Sequence, residues 1–458
     1  MKKTVAIISV AAVLLLSGYR ASAQENVKTG MNFGPLPAIA YDADKGFQYG
    51  AILQLFNYGD GNKYPNYYSK WYFETSWFTK GSKLYNVMYD NTEMFPGVRL
   101  SASVKYTNDK ACDFYGFNGY QSNYDYSRID LGKDGGAYPF HPFYRLSRQW
   151  LDSRVDFIGK FNDNLHWIAG YHLTSFKQGA IDYESINKGK DADKVFPETQ
   201  PTLLQYYHDW GLISDQDFDG GLVSALRLGL EYDTRDKEGA PSRGVWTEAH
   251  VSLAPKWLGS ETSFYRYSLK WMHYLPIIPN DKLTFAYRLM YEGTFGKNVP
   301  YYALPFVSVV GVDTDMEGMT SVKTVRGIMR ARTVGLDAAV FNAELRWRFV
   351  QFQLFKQNIA FAFNAFTDGS MVTRGMDLTY KPVNPHGVAT KALYDKYVLS
   401  SKDDLPHISF GGGLRFIMNE NFIVSLEYGT PLSHYLKNSS IYNQDGTGAM
   451  YINLGYLF

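Results

Sequence analysis

Histidine and cysteine are among the residues of this chain whose chemistry could support catalysis or metal binding. Nine histidines are scattered over 458 residues, and the single cysteine, Cys112, cannot form a disulfide within the chain. His166 and His172 share one face of a predicted strand without a carboxylate or serine beside them on it, and no G-x-S-x-G elbow is present. No metal-ligand spacing stands out. The sequence therefore predicts no enzyme, no metal and no cofactor, unless distant strands assemble a site.

The first residues have the organisation of an export signal. Two lysines at positions 2 and 3 precede a mostly apolar run over 4–16 and an Ala-Ser-Ala cleavage site at 21–23. This order predicts a secretory signal peptide over residues 1–23. A membrane anchor is the weaker alternative, because the apolar run is shorter than the roughly 20 residues that a spanning helix needs.

Composition narrows the class of exported protein. The chain carries 46 basic and 45 acidic residues, so its net charge of +1 gives no reason to expect nucleic acid as a partner. Aromatic residues make up 17% of the chain, and the mean hydropathy is −0.29. Because no later apolar stretch could span a membrane as a helix, we predict a transmembrane β-barrel, whose aromatic girdles account for the many tyrosines. A secreted β-sandwich is the alternative.

Several segments alternate apolar and polar residues, as the strands of a barrel wall do. In the segment 283–293 one face carries Leu283, Phe285, Tyr287, Leu289 and Tyr291. The other face of that segment carries Arg288 and Glu292, and the same alternation recurs over 226–232 and 343–349. Charges confined to one face predict an apolar surface toward lipid and a polar network in the lumen.

Counting such segments gives about 16 antiparallel strands, an even number as expected of a bacterial barrel. They lie near 32–42, 46–57, 66–79, 82–94, 97–109, 143–161, 165–177, 222–235, 244–255, 262–275, 282–293, 337–349, 357–367, 407–417, 421–431 and 449–458. The short links fall on one side, assigned to the periplasm, at 59–66, 161–164, 237–243 and 418–421. The long links fall on the extracellular side, at 110–142, 178–221, 294–336 and 368–406. The predicted fold class is thus an all-β, 16-stranded antiparallel transmembrane β-barrel.

Six stretches, taken in order, are similar to one known family of barrels. They are LPAIAYDADKGFQYGA from Leu36, DFYGFNGY from Asp113, GLEYDTRDKEGAPSRG from Gly229, TVRGIM from Thr324, FNAELRWRF from Phe341 and FAFNAFTDGS from Phe361. Together they resemble the barrel of the BamA/TamA superfamily, also called the bacterial surface antigen family. The resemblance implies an integral outer-membrane barrel that builds or translocates outer-membrane and surface proteins without ATP.

The resemblance also implies a role for the long sixth extracellular loop, which would fold into the lumen. In the family, the arginine of a V-R-G-F/Y motif in this loop reaches down the lumen to a strand motif F-x-D-x-G. The corresponding loop residues of this chain are Val325, Arg326, Gly327 and Ile328. Their expected lumen partners are Asp368, Glu344 and Phe366. A charge-assisted contact between Arg326 and Asp368 would hold the loop in place; the alternative is a flexible surface loop.

The chain departs from the family pattern in three places. Ile328 stands where an aromatic residue is usual, and Gly369 comes one place early, so that Ser370 stands where the family has glycine. Members of the assembly type also carry periplasmic POTRA domains before the barrel. We expect only a short periplasmic tail over 24–31 and a barrel over 32–458, so client capture would need a separate partner or the periplasmic turns.

The two ends of the predicted barrel meet at a seam between the first and last strands. Gly34, Pro35 and Pro37 in or beside the first strand, and Gly455 in the last, predict a weak seam, because proline has no N–H to give to a ladder. Alternatively, the prolines merely end the periplasmic tail before pairing starts. The last strand would place on one face the residues Met450, Ile452, Leu454, Tyr456 and Phe458. A terminal aromatic in this pattern resembles the signal by which outer-membrane barrels are recognised for assembly.

The sequence thus predicts an outer-membrane protein that helps outer-membrane or surface components to insert or cross, through a weak seam. An accessory or structural barrel in an envelope complex, or a dimer, is the alternative. A passive pore is disfavoured by the plugged lumen. Expected partners are outer-membrane lipids and lipopolysaccharide, a client barrel or surface protein, and a second copy or a periplasmic or lipoprotein partner.

Overall fold

A computed structural model describes residues 27–42, 46–64, 66–79, 81–125, 142–187, 189, 191, 195, 201–278, 282–311, 316–317, 319–321, 323–355, 357–383, 390–400, 402–419, 422–454 and 458. Sixteen strands form one sheet, in which each strand pairs antiparallel with the next strand of the sheet along the chain. These strands are β1 (Met31–Asp42), β2 (Gly46–Asn57), β3 (Ser69–Phe78), β4 (Lys83–Phe95), β5 (Val98–Asp113), β6 (Arg145–Lys160), β7 (Leu165–Gly179), β8 (Gly220–Asp233), β9 (Gly244–Ala254), β10 (Phe264–Ile278), β11 (Leu283–Phe295), β14 (Asp337–Leu354), β15 (Gln357–Arg374), β16 (His407–Met418), β17 (Phe422–Pro431) and β18 (Ala449–Leu454).

The remaining elements lie in the connections between these strands. In the sixth loop, β12 (Phe306–Val307) and β13 (Met316–Glu317) pair with each other. The α-helices are α1 (Tyr183–Asn187), α2 (Leu203–Asp209), α3 (Asp215–Phe218) and α4 (Lys391–Tyr397), and the 3₁₀ turns are Gly119–Gln121, Pro142–Tyr144, Lys256–Leu258, Tyr301–Ala303 and Leu432–Tyr435. Within the described ranges, every helix is too short and too polar to cross a bilayer.

The alternation predicted for the wall is confirmed in β11, where the even-numbered residues face inward. Arg288 is fully buried, whereas its neighbour Leu289 is 52% exposed on the opposite face. The same division holds along β14, where Glu344 is buried and Trp347 is exposed. The inner face therefore gathers the charges, and the outer face presents apolar side chains to lipid.

Strands β14 and β15 are longer than their predicted spans, 337–349 and 357–367. A bulge between Arg348 and Val350 shifts the register by one residue, so the apolar side chains beyond it change face. This change of face breaks the simple alternation on which the prediction rests. At its other end β15 continues to Arg374, so Asp368 lies within the strand, paired with Asn342, instead of beyond its end.

The long extracellular connections share an aromatic core above the wall. A capping box between Thr202 and Gln205 starts α2, whose Tyr207 and neighbouring Trp210 are fully buried. The rings of Phe114 and Tyr207 meet edge to face with centroids 5.3 Å apart. Other buried members of this cluster are Phe117, Tyr124, Tyr144, Tyr301, Tyr302, Tyr394 and Tyr397. Aromatic burial of this extent orders the loops without disulfides.

The C-terminal segment differs from its prediction. Met450 is exposed on the outer face, but β18 ends at Leu454, and residues 455–457 lie outside the described residues. Phe458 is buried in the lumen, where Arg346 Nη2 donates to its carbonyl oxygen at 2.6 Å. The guanidinium carbons of Arg288 and Arg346 each lie 4.9 Å from its ring centroid. The prediction that Phe458 and Met450 lie on one face is therefore wrong, because these arginine contacts hold Phe458 inside.

Candidate functional site: the sixth loop in the lumen

The sixth loop runs from the end of β11 to the start of β14 and enters the lumen. Its motif residues Val325, Arg326 and Ile328 are buried. Val325 and Ile328 pack with Met290, Val307, Val309, Met319, Ala338 and Val340. The aliphatic Ile328 thus fits an aliphatic pocket that faces β11 and β14, which explains why an aromatic residue is not needed at this position.

Arg326 makes a two-pronged contact with Asp368 of β15. Its Nε donates to Asp368 Oδ2 at 2.8 Å, and its Nη2 donates to Oδ1 at 3.1 Å. The backbone N–H of Arg326 donates to the same carboxylate at 3.1 Å. The ring centroid of Phe366 lies 3.4 Å from the guanidinium carbon. The two residues that the family motif names therefore lie in direct contact, with Phe366 against the charge.

Two further carboxylates surround the same guanidinium. Arg326 Nη1 donates to Glu344 Oε2 of β14 at 2.8 Å and to Glu427 Oε1 of β17 at 3.0 Å. Arg415 of β16 also bridges both glutamates, at 2.6 Å and 2.7 Å. Arg346 is the third arginine of this group, and its Nε donates a hydrogen bond to Glu344 Oε1 at 2.7 Å. Three arginines thus balance three carboxylates, which makes the burial of six charges tolerable.

The backbone around Gly327 fits closely against the last strands of the sheet. Ser409 of β16 donates through its hydroxyl to the carbonyl oxygen of Arg326, and Gly327 N donates to the hydroxyl of Tyr451 on β18 at 2.8 Å. Gly327 has a φ of +84°, and a Cβ there would lie 2.6 Å from the carbonyl carbon of Gly429 on β17. The loop tip therefore touches β15, β16, β17 and β18 together, which makes it part of the wall that ends at the seam.

Replacing Gly327 with alanine is expected to lower the free energy of unfolding by about 2–5 kcal/mol, because a strained φ adds to a collision with the β17 backbone. Gly296 provides a matched control in the same loop, since its φ is +85° but a Cβ there would meet nothing within 4 Å. Gly296→Ala should therefore cost only the backbone strain, about 1–2 kcal/mol. Urea unfolding of the purified barrel, followed by the mobility of folded and unfolded bands, measures both. Equal losses in the two variants would contradict this account of docking.

The other departures from the family pattern also have local explanations. Gly369 faces outward, and a Cβ there would collide with the ring of Phe341, its partner on β14. Ser370 faces inward, and its hydroxyl lies 2.7 Å from that of Thr333 in the sixth loop. A serine at this position therefore adds a further tie between β15 and the loop.

Some residues of the site lie beyond the sequence prediction. Arg415, Glu427, Ser409 and Tyr451 complete the contacts of the loop tip, although none of them belongs to the motifs. The alternation of apolar and polar residues alone places Arg415 and Glu427 on the inner face of their strands. This placement is the feature of the sequence by which they could have been found. His166 and His172, which have no carboxylate on their own strand face, meet carboxylates of the neighbouring strands, Glu231 at 3.2 Å and Asp152. No group of metal-ligating side chains occurs among the described residues.

Three of the four residues predicted to weaken the seam lie in the first strand. Gly34, Pro35 and Pro37 are all within β1, which pairs with β2 along its whole length. The idea that the prolines end the tail before pairing starts is therefore wrong. A Cβ at Gly34 would meet nothing within 4 Å, and Gly455 lies outside the described residues. Within those residues no ladder joins β1 to β18, although their Cα atoms come within 8 Å of each other, so the predicted closing pairing is not seen.

Comparison with known proteins places this arrangement in a family. A family model described as the Omp85 superfamily domain matches residues 61–458. The chain belongs to the Omp85 superfamily. It is an integral outer-membrane β-barrel, as the BamA/TamA resemblance predicts. Strands β1 and β2 lie ahead of the matched region of this Omp85 chain.

A solved BamA structure supports the fold of this Omp85 barrel, and a CdiB structure is also similar to it. A Haemophilus ducreyi BamA that lacks POTRA domains 1–3 is 15% identical, with a TM-score of 0.52, over 93% of this chain and 70% of that one. CdiB from Escherichia coli is 8% identical, with a TM-score of 0.48, over 93% of this chain and 62% of that one. The chain thus spans less than two thirds of that CdiB structure. The comparison with curated proteins gives no match.

Proposed function

We propose that this Omp85 barrel helps outer-membrane or surface components to insert into, or cross, the outer membrane without ATP, through the seam between β1 and β18. The observation that carries the proposal is the free edge of β1. Pro35 and Pro37 pair with Leu53 and Ala51 of β2 in an unbroken ladder. A proline cannot donate to that ladder, so its nitrogen must lie on the edge that faces away from β2.

The free edge of β1 therefore lacks two N–H donors in the middle of the strand. A partner strand cannot form a regular ladder across these positions, and unpaired backbone groups are costly in hydrocarbon. β18 is also short in the described residues, covering Ala449–Leu454 against Met31–Asp42 for β1. A seam of this kind separates at lower cost than any other pair of strands in the wall.

The docked sixth loop complements this seam. Because Gly327 contacts Tyr451 of β18 and Arg326 contacts Glu427 of β17, the loop fixes the last strands from the lumen side. One edge of the seam is thus held by the loop, whereas in the described residues the other edge, β1, forms a ladder with β2 alone. Opening by movement of β1 and β2 follows from this asymmetry. The role needs no catalytic residue, cofactor or metal.

We propose that the chain has three segments. Residues 1–23 are proposed as the signal peptide, 24–31 as a periplasmic tail and 32–458 as the barrel, with client capture supplied by a separate partner or by the periplasmic turns. Residues 1–26 lie outside the described residues. We propose lipopolysaccharide and phospholipids as the surroundings of the barrel, and outer-membrane or surface proteins as its clients.

Depletion of the protein in its own host tests this function. Quantitative outer-membrane proteomics and lipid analysis should then show loss of folded barrels, or of one surface protein or one glycolipid that depends on this barrel. Restoring the wild-type protein should restore the same components. An unchanged envelope would overturn the proposal and favour an accessory or structural barrel in an envelope complex.

A further inference from the structure

The turn between β8 and β9, residues 234–243, folds inward across the lumen. Ala240 in this turn is 1% exposed and packs with Ala360, Ala362, Ile417 and Ile423, which lie on the inner faces of β15, β16 and β17. In the sheet order, β10, β11 and β14 stand between β9 and β15. The turn therefore reaches a wall on the far side of the barrel from its own strands.

A second contact attaches the turn to another part of the wall. Arg99 Nη1 of β5 lies 2.8 Å from Glu238 Oε1. The same arginine grips Asp90 of β4 with two hydrogen bonds of 2.9 Å. Burial alone would raise the pKa of the Glu238 carboxyl, but Arg99, Arg235 and Lys70 together outweigh burial and lower it. Glu238 is thus charged at neutral pH, and the ion pair persists there.

The turn is also internally rigid. The Asp236 carboxylate accepts hydrogen bonds from the Ser242 N–H at 2.9 Å, the Ser242 hydroxyl at 2.6 Å and the Arg243 N–H at 3.1 Å. At its base, Arg235 forms two hydrogen bonds with Asp233, at 3.0 Å and 2.8 Å. Because these hydrogen bonds hold the turn together, it can move as a rigid unit about the end of β8 and the start of β9.

We propose that residues 234–243 form a periplasmic gate of the lumen, hinged where β8 and β9 end and latched on β5 through the contact between Glu238 and Arg99. The gate is separate from the seam, and it acts at the opposite end of the lumen from the extracellular loops. The sixth loop and the gate then close one passage at two points in series. Because resistances in series add, opening either closure alone leaves the passage blocked by the other.

Single-channel conductance of the full-length protein in planar bilayers tests the gate. The opening variant combines Glu238→Gln with Ala240→Asp, which removes the latch and puts a charge among the alanines and isoleucines. The matched control is Lys237→Gln, which removes a charge from the same turn and leaves the latch and Ala240 in place. Each turn variant is measured with the native sixth loop and with Arg326→Met, which loosens that loop.

The opening variant and Arg326→Met should each conduct little alone, and their combination should conduct at least tenfold more than either. The control should not change conductance in either background. The proposal is overturned if either Arg326→Met alone or the opening variant alone conducts as well as the combination.

A labelling experiment keeps the proposal testable if the combined variant does not fold. Cys112 is buried, and Cys112→Ala removes the only native thiol, so that Ala240→Cys reports on the gate alone. A membrane-impermeant maleimide should label this cysteine slowly in the wild-type turn and at least tenfold faster with Glu238→Gln. The same rate with and without Glu238→Gln would overturn the latch.

Discussion

Replacing Arg326 with methionine is expected to lower the free energy of unfolding by about 3–5 kcal/mol and to release the sixth loop. The change leaves Asp368, Glu344 and Glu427 buried with less opposing charge, since Arg326 contacts all three at 2.8–3.0 Å. Loss of a buried charged partner is costly mainly because the remaining charges stay desolvated. Urea unfolding gives the stability, and trypsin cleavage within 296–336 of folded protein reports the loop.

Two comparison variants separate docking from a general loss of charge. Arg326→Lys keeps the charge but cannot grip Asp368 with two parallel hydrogen bonds, so an intermediate loss is expected. Arg330 lies in the same loop, and its ion pairs with Asp109 and Asp113 are longer, at 3.6 Å and 3.5 Å. Arg330→Met should therefore cost clearly less than Arg326→Met. Equal losses of stability in Arg326→Met and Arg330→Met, with the loop still protected from trypsin, would contradict the role of Arg326 in docking the loop.

Replacing both Pro35 and Pro37 with alanine is expected to tighten the seam and impair the proposed activity. The change returns two N–H donors to the free edge of β1, each worth about 0.5–1.5 kcal/mol when a partner strand accepts them. The double variant should unfold at higher urea concentration and should complement depletion of the wild-type protein poorly. Pro276→Ala is the matched control, because Pro276 lies in β10, away from the seam. A double variant that complements fully, with a stronger seam, would show that a weak seam is not needed.

The wall and the loop motif were predictable because both rest on local patterns. Alternation along 283–293 identifies a barrel strand from a few residues, and a charge on the inner parity identifies the lumen face. The family motif then puts Arg326 beside Asp368. These predictions need no knowledge of which strands meet across the lumen.

Features that depend on distant strands were not predictable in this way. The bulge at Arg348 changes the parity of the residues beyond it, and only pairing with β15 reveals this. Glu238 and Ala240 read as ordinary turn residues, because their partners, Arg99 and Ile423, are remote in sequence. The sequence pattern predicts that Phe458 ends a strand, whereas Arg288 of β11 and Arg346 of β14 hold it in the lumen. Contacts between distant strands across the lumen thus set the limit of sequence reasoning.

A reversible disulfide across the seam tests the central claim most directly. Single cysteines in β1 are paired with single cysteines in β18, on a Cys112→Ala background, and pairs that crosslink fully under oxidation are chosen. Each pair replaces the wild-type protein in its host, and the abundance of folded outer-membrane and surface proteins is measured with the seam oxidised and reduced. The account predicts loss of client proteins in the oxidised state and recovery on reduction. Full abundance with the seam locked would contradict it.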